Sequence, residues 1–514
     1  MSPGMDVAAP VLGVVVLLAI WTYGGRAEWA GGMVVTPLDA VEPLFGDSAD
    51  VYRRAVTATV WSAVRGLLVG GGLAFAAALA AAAVPGLRRS ITRLAAIANA
   101  APWVAVAPCL LIVLGRDRGP VAVAAIAVFF YVFVSTSVGL GAASSAVHDV
   151  ASALGSSRAR RVWSVELPSA WPAIADGLRL AAPAALAGAV FGEWYGAERG
   201  LGVLLITAMQ GARAPQLWAA SLLSAGCGLL VYAGLGLLRN LAADRYGTTV
   251  TRTASAPSGG GRDHLLRTIA VESATVVGLV AVLTTVWWAW IEVGDVSPIV
   301  APSPSAVLDD LVGAPGEYLA ATWATLQTSA IALGVGVVIG LVAALAASRF
   351  ELLAGMTVPL VVLVAATPLV ALFPLFARVL GYNPTTVWAL ASVLVFYPVF
   401  VFTRSGLAAA TRSSLDLVDA LGADRGTRFR RLVLPAAVPH IVSGFRIATG
   451  SAVIAAVVGE SLIGREGLGV EFAYAYRLLE LPRAFGAAIV VVVVSVLVFA
   501  AVGKLEHAVH ERWT

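Results

Sequence analysis

Apolar stretches of about twenty residues, the length that crosses a bilayer as an α-helix, follow one another along the chain with short polar segments between them. In the first half they run near 7–23, 56–83, 95–115, 120–143, 177–195 and 215–238, and in the second near 270–291, 322–347, 354–379, 385–408, 444–463 and 484–503. They lack the alternation of barrel strands, and only helices and closed barrels satisfy the backbone in lipid. The pattern predicts an all-α, polytopic membrane protein with about twelve transmembrane helices, six in each half.

The two halves are copies of one unit. A shift of 267 aligns Asp149 to Val203 with Asp416 to Val470 without a gap and with 23 identities in 55 positions. A shift of 266 extends the match upstream, pairing Trp21 with Trp287, Tyr52 with Tyr318, Thr59 with Thr325, Gly70 with Gly336, Pro102 with Pro368, Pro108 with Pro374 and Gly115 with Gly381. The expected organisation is a first unit over residues 1–239, a flexible linker over 240–266 containing the Ser-, Pro- and Gly-rich run Thr253 to Gly261, and a second unit over 267–514. An even number of spans per unit gives the two units the same orientation, so they are parallel repeats about an axis along the membrane normal.

Composition agrees with this. Of 514 residues, 59 % are apolar and only 12 % charged, too little polar surface for a soluble protein of this size. The 34 basic residues are arginines except for Lys504 and are scattered, which speaks for topology signals and against a nucleic-acid partner. They are densest in Arg88 to Arg93, Arg158 to Arg161, Arg239 to Arg267 and Arg412 to Arg431. The positive-inside rule makes those loops, the linker and both termini cytoplasmic. Cys109 and Cys227 sit in apolar runs and can build neither a disulfide framework nor a metal cluster.

The best-matched segment of the repeat is a polar cytoplasmic loop, although loops ordinarily diverge faster than packed elements. It reads Asp149-Val-Ala-Ser-Ala153-Leu-Gly155, nine residues, then Val165-Glu-Leu167-Pro168, and again Asp416-Leu-Val-Asp-Ala420-Leu-Gly422, nine residues, then Leu432-Val-Leu434-Pro435. In each copy there follow a proline (Pro172, Pro439), Gly177-Leu-Arg179 or Gly444-Phe-Arg446, Gly192-Glu193 or Gly459-Glu460, and Gly200-Leu-Gly202 or Gly467-Leu-Gly469. The composition from Asp149 to Arg161 predicts a short helix on the membrane surface, ended by Pro168.

Here the chain resembles the inner-membrane permease subunits of ATP-binding cassette importers, in the branch that imports nitrate, taurine and sulfonates. That loop pattern is Glu-Ala-Ala, three residues, Gly, nine residues, Ile-x-Leu-Pro; both copies depart from it by Asp for Glu and by weakened alanines. The resemblance implies a type I importer permease fold, two units fused in tandem, in the cytoplasmic (plasma) membrane of a bacterium or archaeon. It also implies two ATPase subunits seated on the loops and an extracytoplasmic solute-binding protein. The coupling residues carried over are Asp149, Ala153, Gly155, Arg158, Arg161, Leu167 and Pro168, and Asp416, Ala420, Gly422, Arg425, Arg428, Leu434 and Pro435, with the arginines facing carboxylates of the ATPase. Gly-x4-Gly-Lys-Ser/Thr does not occur, so this chain is not expected to hydrolyse ATP itself; the resemblance implies that ATP and Mg²⁺ belong to the partners, with no cofactor, metal or catalytic residue on this chain.

Two rival readings remain at this level. Twelve helices in two parallel halves is also a layout of ion-driven secondary transporters, but these place acidic groups near mid-membrane, and most spans here have none. A membrane enzyme needs a polar catalytic constellation, and the five histidines form no HExxH. Within the import reading, a pyrimidine vitamin precursor is the alternative to an anionic solute. The expected pathway residues are Pro102, Pro108, Pro368 and Pro374, which kink the third span of each unit, Glu193 and Glu460 at the outer end of the fifth, and Arg65. Arg65 lies in an apolar span and has Ile331 as its repeat partner; it either attracts an anion or snorkels to an interface.

Overall fold

The computed structural model describes residues 5–46, 48–84, 103–141, 145–246, 278, 280–350, 353–355, 357, 361, 372–410 and 412–513. All regular structure among them is helical. Among the described residues eight helices are long and apolar enough to cross a membrane: Ala49–Ala83, Val113–Leu140, Arg158–Trp194, Ala214–Leu237, Pro315–Arg349, Pro384–Leu407, Arg425–Ile463 and Leu481–Val509. Shorter apolar helices cover Val11–Arg26, Leu201–Gln210 and Val280–Val293. The expected spans near 95–115 and 354–379 are described only in part, Pro102 and Pro368 lie outside the described residues, and so does the linker beyond Tyr246.

In chain order the first unit comprises α1 (Met5–Arg26), α2 (Pro37–Val41), α3 (Ala49–Ala83), α4 (Trp103–Leu140), α5 (Ser145–Ala153), α6 (Arg158–Arg161), α7 (Leu167–Trp194), α8 (Leu201–Gln210) and α9 (Ala214–Tyr246). The second comprises α10 (Val280–Val293), α11 (Pro304–Gly313), α12 (Pro315–Arg349), α13 (Phe373–Leu380), α14 (Pro384–Leu407), α15 (Arg412–Ala420), α16 (Arg425–Arg428), α17 (Leu434–Ile463), α18 (Leu468–Arg477) and α19 (Leu481–Trp513). The first seven residues of the expected linker continue α9 as helix. The short α8 and α18, between the fifth and sixth expected spans, are elements the hydropathy pattern did not resolve.

Lipid offers apolar side chains nothing that a neighbouring helix improves on, so spanning helices associate by close packing of small residues. Helix α3 shows this: Ala63, Gly66, Gly70, Ala74 and Ala78 are buried, whereas Trp61, Leu68, Val69 and Leu73 are exposed. A Cβ on Gly70 would lie 2.1 Å from the carbonyl oxygen of Ala125 on α4, and one on its repeat partner Gly336 would lie 2.5 Å from Val395 on α14. Each unit thus packs the same three helices together, α3, α4 and α7 in the first and α12, α14 and α17 in the second. First and last helices dock through a repeated aromatic pair. Trp21 stacks on Trp218 at 5.0 Å and Trp287 on Phe485 at 5.8 Å; Trp21 also donates through Nε1 to the Val35 carbonyl.

Between the units, Leu111, Val123 and Phe191 of the first form one buried cluster with Phe373, Leu390 and Val458 of the second. A second cluster joins Val190, Leu201 and Leu205 to Leu375, Val387 and Ile463. The two units share a core.

Candidate functional site

The loop carrying the repeated motif folds in the same way in both units, and its glycine fixes the shape. Helix α5 ends in Gly155 at φ +68°, and α15 ends in Gly422 at φ +74°. Gly155 N–H donates to the Ser152 carbonyl and Ser156 N–H to that of Ala151, while Gly422 and Ala423 donate likewise to Asp419 and Val418. These paired bonds satisfy the last carbonyls of each helix and need a left-handed residue, for which glycine carries no Cβ penalty. The chain then turns into a capped helix. Ser157 accepts from the N–H of Arg160, and Asp424 from the N–H of Gly426 at 3.0 Å.

The expected single helix from Asp149 to Arg161 is therefore two helices broken at Gly155, and Pro168 does not end one. A π-helical turn (Val162–Glu166; Phe429–Val433) joins α6 to α7 and α16 to α17, and Pro168 and Pro435 stand in the first turn of the spanning helices. Proline has no N–H to donate and crowds the carbonyl before it, and the wider π turn accommodates that. The result is a continuous rod from Arg158 to Trp194, and another from Arg425 to Ile463.

Asp149, Ala153, Asp416 and Ala420 are exposed on these segments, Leu167 is buried, and Leu434 is partly exposed. The tips are apolar: Leu154 is 80 % and Leu421 77 % exposed, with Val150 and Leu417 beside them. Three of the four arginines are committed within the chain. Arg158 donates through Nε and Nη2, at 2.9 and 2.8 Å, to the carbonyl of Ala82 at the end of α3. Arg161 bonds Ser152 Oγ. Arg428 pairs with Asp419 at 3.0 Å. Arg425 is exposed.

At the far end of each rod stands the repeated glutamate, buried to 2 % exposure at Glu193 and 3 % at Glu460. Thr59 of α3 donates to Glu193 Oε2 at 2.9 Å and accepts from Leu201 N–H at 2.8 Å, and Gly202 N–H donates to the same carboxylate oxygen at 2.8 Å. The second unit repeats this atom for atom: Thr325 to Glu460 at 2.8 Å, Leu468 N–H to Thr325 at 2.9 Å and Gly469 N–H to Glu460 at 3.1 Å. In both, Oε1 is buried without a hydrogen-bond partner. One carboxylate oxygen and one hydroxyl thus pin the first N–H groups of α8 or α18 to the end of the rod, which accounts for the Gly-Leu-Gly that follows each glutamate.

The transport-system family described as "binding-protein-dependent transport system inner membrane component" matches the chain over residues 70–247 and again over 336–511. The chain belongs to that family, twice over. Formylaminopyrimidine transport permease protein ThiX of Halalkalibacterium halodurans is 33 % identical over 184 residues, 36 % of this chain and 74 % of that one. The taurine transport system permease protein TauC of Escherichia coli is 29 % identical over 200 residues, 38 % of this chain and 73 % of that one. A putative aliphatic sulfonates permease protein, SsuC of Bacillus subtilis, is 26 % identical over 234 residues, 44 % of this chain and 80 % of that one. Each of these relatives matches less than half of this permease.

The remaining expected residues of the permease fall in different places. Arg65 is exposed on α3 with its guanidinium 4.9 Å from the centre of the Trp61 ring, among exposed Val64, Leu68 and Val69. Pro108 lies within helix α4, and the backbone break in α4 falls at Gly115 (φ +79°), with its partner Gly381 (φ +90°) ending α13. Pro374 is buried in the first turn of α13. Beside Glu193 a polar cleft of 350 Å³ is lined by Ser62, Arg116, Asp117, Glu198 and Arg199. Residues given no role from sequence hold the units together internally: Arg179 lies 4.1 Å over Tyr232, and its partner Arg446 lies 4.4 Å over Phe499 and pairs with Glu506 at 2.6 Å. The signal was present, because all four ring and guanidinium positions recur at the 267 shift.

Proposed function

We propose that this permease is the membrane-spanning part of an ATP-driven importer, in which one chain supplies both halves of the pathway and moves a small solute by alternating access. Two separate ATPase subunits, carrying ATP and Mg²⁺, dock on the segments Asp149–Arg161 and Asp416–Arg428. An extracytoplasmic binding protein delivers the solute. The chain sits in a bacterial or archaeal cytoplasmic membrane with both termini and the linker on the ATPase side.

The observation that carries this reading is that a surface loop with an apolar tip, Leu154 or Leu421, occurs twice, each joined to a continuous helical rod of 37 or 39 residues. At 1.5 Å per residue such a rod is about 55 Å long. A displacement applied at the tip therefore reaches the glutamate pin, where the rod is tied to α3 and α8 or to α12 and α18. Docking rests on the exposed leucines and on the glycine-fixed turn more than on Arg158, Arg161 and Arg428, whose partners lie within the chain. The solute we propose is a small anion of the taurine, sulfonate or nitrate kind, with a pyrimidine as the alternative. Against an ion-driven carrier stands the use of Glu193 and Glu460, each bonded to a threonine and a backbone N–H.

Replacing both Gly155 and Gly422 by valine tests the coupling. The double variant should insert and purify as the parent does. Its retention of ATPase subunits and its ATP-dependent uptake should fall by about tenfold or more, the effect of losing ~1.4 kcal/mol of docking energy. Normal uptake in that variant overturns the assignment. Uptake driven by a proton or sodium gradient without any ATPase favours the carrier.

A further inference from the structure

A pair of identical units related by a two-fold axis presents the same contact at both sides of their interface. Fusion of two diverged copies removes that constraint, and here the two seams differ in kind. At one, Arg378 in the last turn of α13 reaches the C-terminal end of α8 in the other unit. Its Nε lies 2.7 Å from the Met209 carbonyl oxygen, its Nη2 bonds the same oxygen and approaches that of Gln210 at 3.5 Å, and Tyr382 lies 5.5 Å beneath the guanidinium. The acceptors are terminal carbonyls of a helix, where the macrodipole favours a cation.

At the opposite seam, Tyr476 of α18, the repeat partner of Met209, meets Tyr195 edge to face at 5.7 Å, and Tyr195 in turn packs on Phe191 at 5.2 Å. Neither seam can copy the other: the repeat partner of Arg378 is Ile112 and that of Tyr195 is Leu462. Both seams lie at the ends of α7 and α17 remote from the coupling segments.

We propose that Arg378 is a one-sided latch between the units, and that the seam it closes separates during transport while the tyrosine seam keeps its packing as the hinge. A charged hydrogen bond to one carbonyl is directional and is lost over a short displacement. Aromatic edge contacts are broad and tolerate rotation. The Tyr195 hydroxyl also faces Ser461 of α17, but there the packed rings back the polar contact, so when the rods are displaced the seam held by one guanidinium on one carbonyl yields first. The latch rests on the import reading for its purpose, but its existence can be tested on the chain alone.

Nitroxide pairs placed on the full-length chain in lipid nanodiscs, with Cys109 and Cys227 changed to serine, report the two seams separately. One pair spans the latch at Gln210 and Leu380, the other spans the tyrosine seam at Glu198 and Leu478. Arg378→Ala should broaden the first distance distribution and shift it outward while leaving the second unchanged. Arg378→Lys, which keeps the charge and one donor, should fall between parent and alanine. An unchanged first distribution, or equal broadening of both, overturns the latch. If the alanine variant fails to fold, the lysine and Arg378→Gln variants give the same comparison. In chain purified with its ATPase subunits, trapping with ATP and vanadate should move the first distribution and not the second. Equal movement overturns the hinge. Failure to retain any ATPase counts against the import reading and leaves the result on the chain alone in force.

Discussion

Thr59 and Thr325 each use one hydroxyl twice, as donor to a buried carboxylate and as acceptor from the first N–H of a helix. Removing such a group leaves one buried N–H without a partner and the carboxylate with one hydrogen bond fewer, a loss of about 2 kcal/mol. Thr59→Val should therefore lower the thermal unfolding midpoint, and Thr59→Ser should restore most of it. Gly200 sharpens the test. It lies at φ +139°, and a Cβ there would come 2.1 Å from the Glu193 carboxyl carbon, while Gly467 at φ +117° would meet Glu460 at 2.4 Å. Gly200→Ala should cost more than about 2 kcal/mol, whereas Gly72→Ala, in an open helical position, should be neutral or stabilising; equal melting of the two variants contradicts the pin. The repeat alignment paired each of these residues with its copy, but not Thr59 with Glu193. Residues 134 apart are joined only when the helices pack.

The two motif-bearing segments share one backbone and differ in the group that caps their second helix, Asp424 in one and Ser157 in the other. Asp424 caps α16, and the Thr427 hydroxyl, then the N–H groups of Gly426 and Thr427, hold its carboxyl below the usual carboxylate range. A group whose folded value is depressed contributes stability above its unfolded pKa, about 4, and loses it as pH falls through the folded value. The turn at Arg425–Arg428 should therefore lose hydrogen-exchange protection on acidification below about pH 4, corrected for intrinsic exchange. The matching turn in the first unit, capped by the neutral Ser157, should lose less, and Asp424→Ser should narrow the difference while the Asp419–Arg428 pair stays in place. Much of this element was readable from sequence, because Gly155 and Gly422 recur at the same spacing before Leu-Pro. Its break was not: helix-forming composition on both sides of Gly155 reads as one helix until the left-handed glycine and the serine or aspartate cap divide it. Pro168 read as a terminator, and a π turn lets the helix run through it instead.

At the scale of the molecule, the shared buried core between units should hold them together without the peptide connecting them. Co-expression of two fragments divided within Thr253–Gly261 should yield a complex that co-purifies in detergent, and fragments that separate contradict the shared core. The sequence by itself determined the all-helical class, the duplication, the motif-bearing loop and the family, because hydropathy, repeat identity and motif spacing are properties of residue order. Only the tertiary structure decided that Glu193 and Glu460 pin a helix start and that three arginines of the motif-bearing loops, Arg158, Arg161 and Arg428, are bonded at home. It alone showed that the seams between units are unlike, one held by Arg378 and the other by Tyr195 and Tyr476. The physical reason is common to all three: hydrogen bonds and ring contacts act over a few ångströms, and separation along the chain, from 9 residues for Arg428 and Asp419 to 169 for Arg378 and Met209, does not tell which atoms meet.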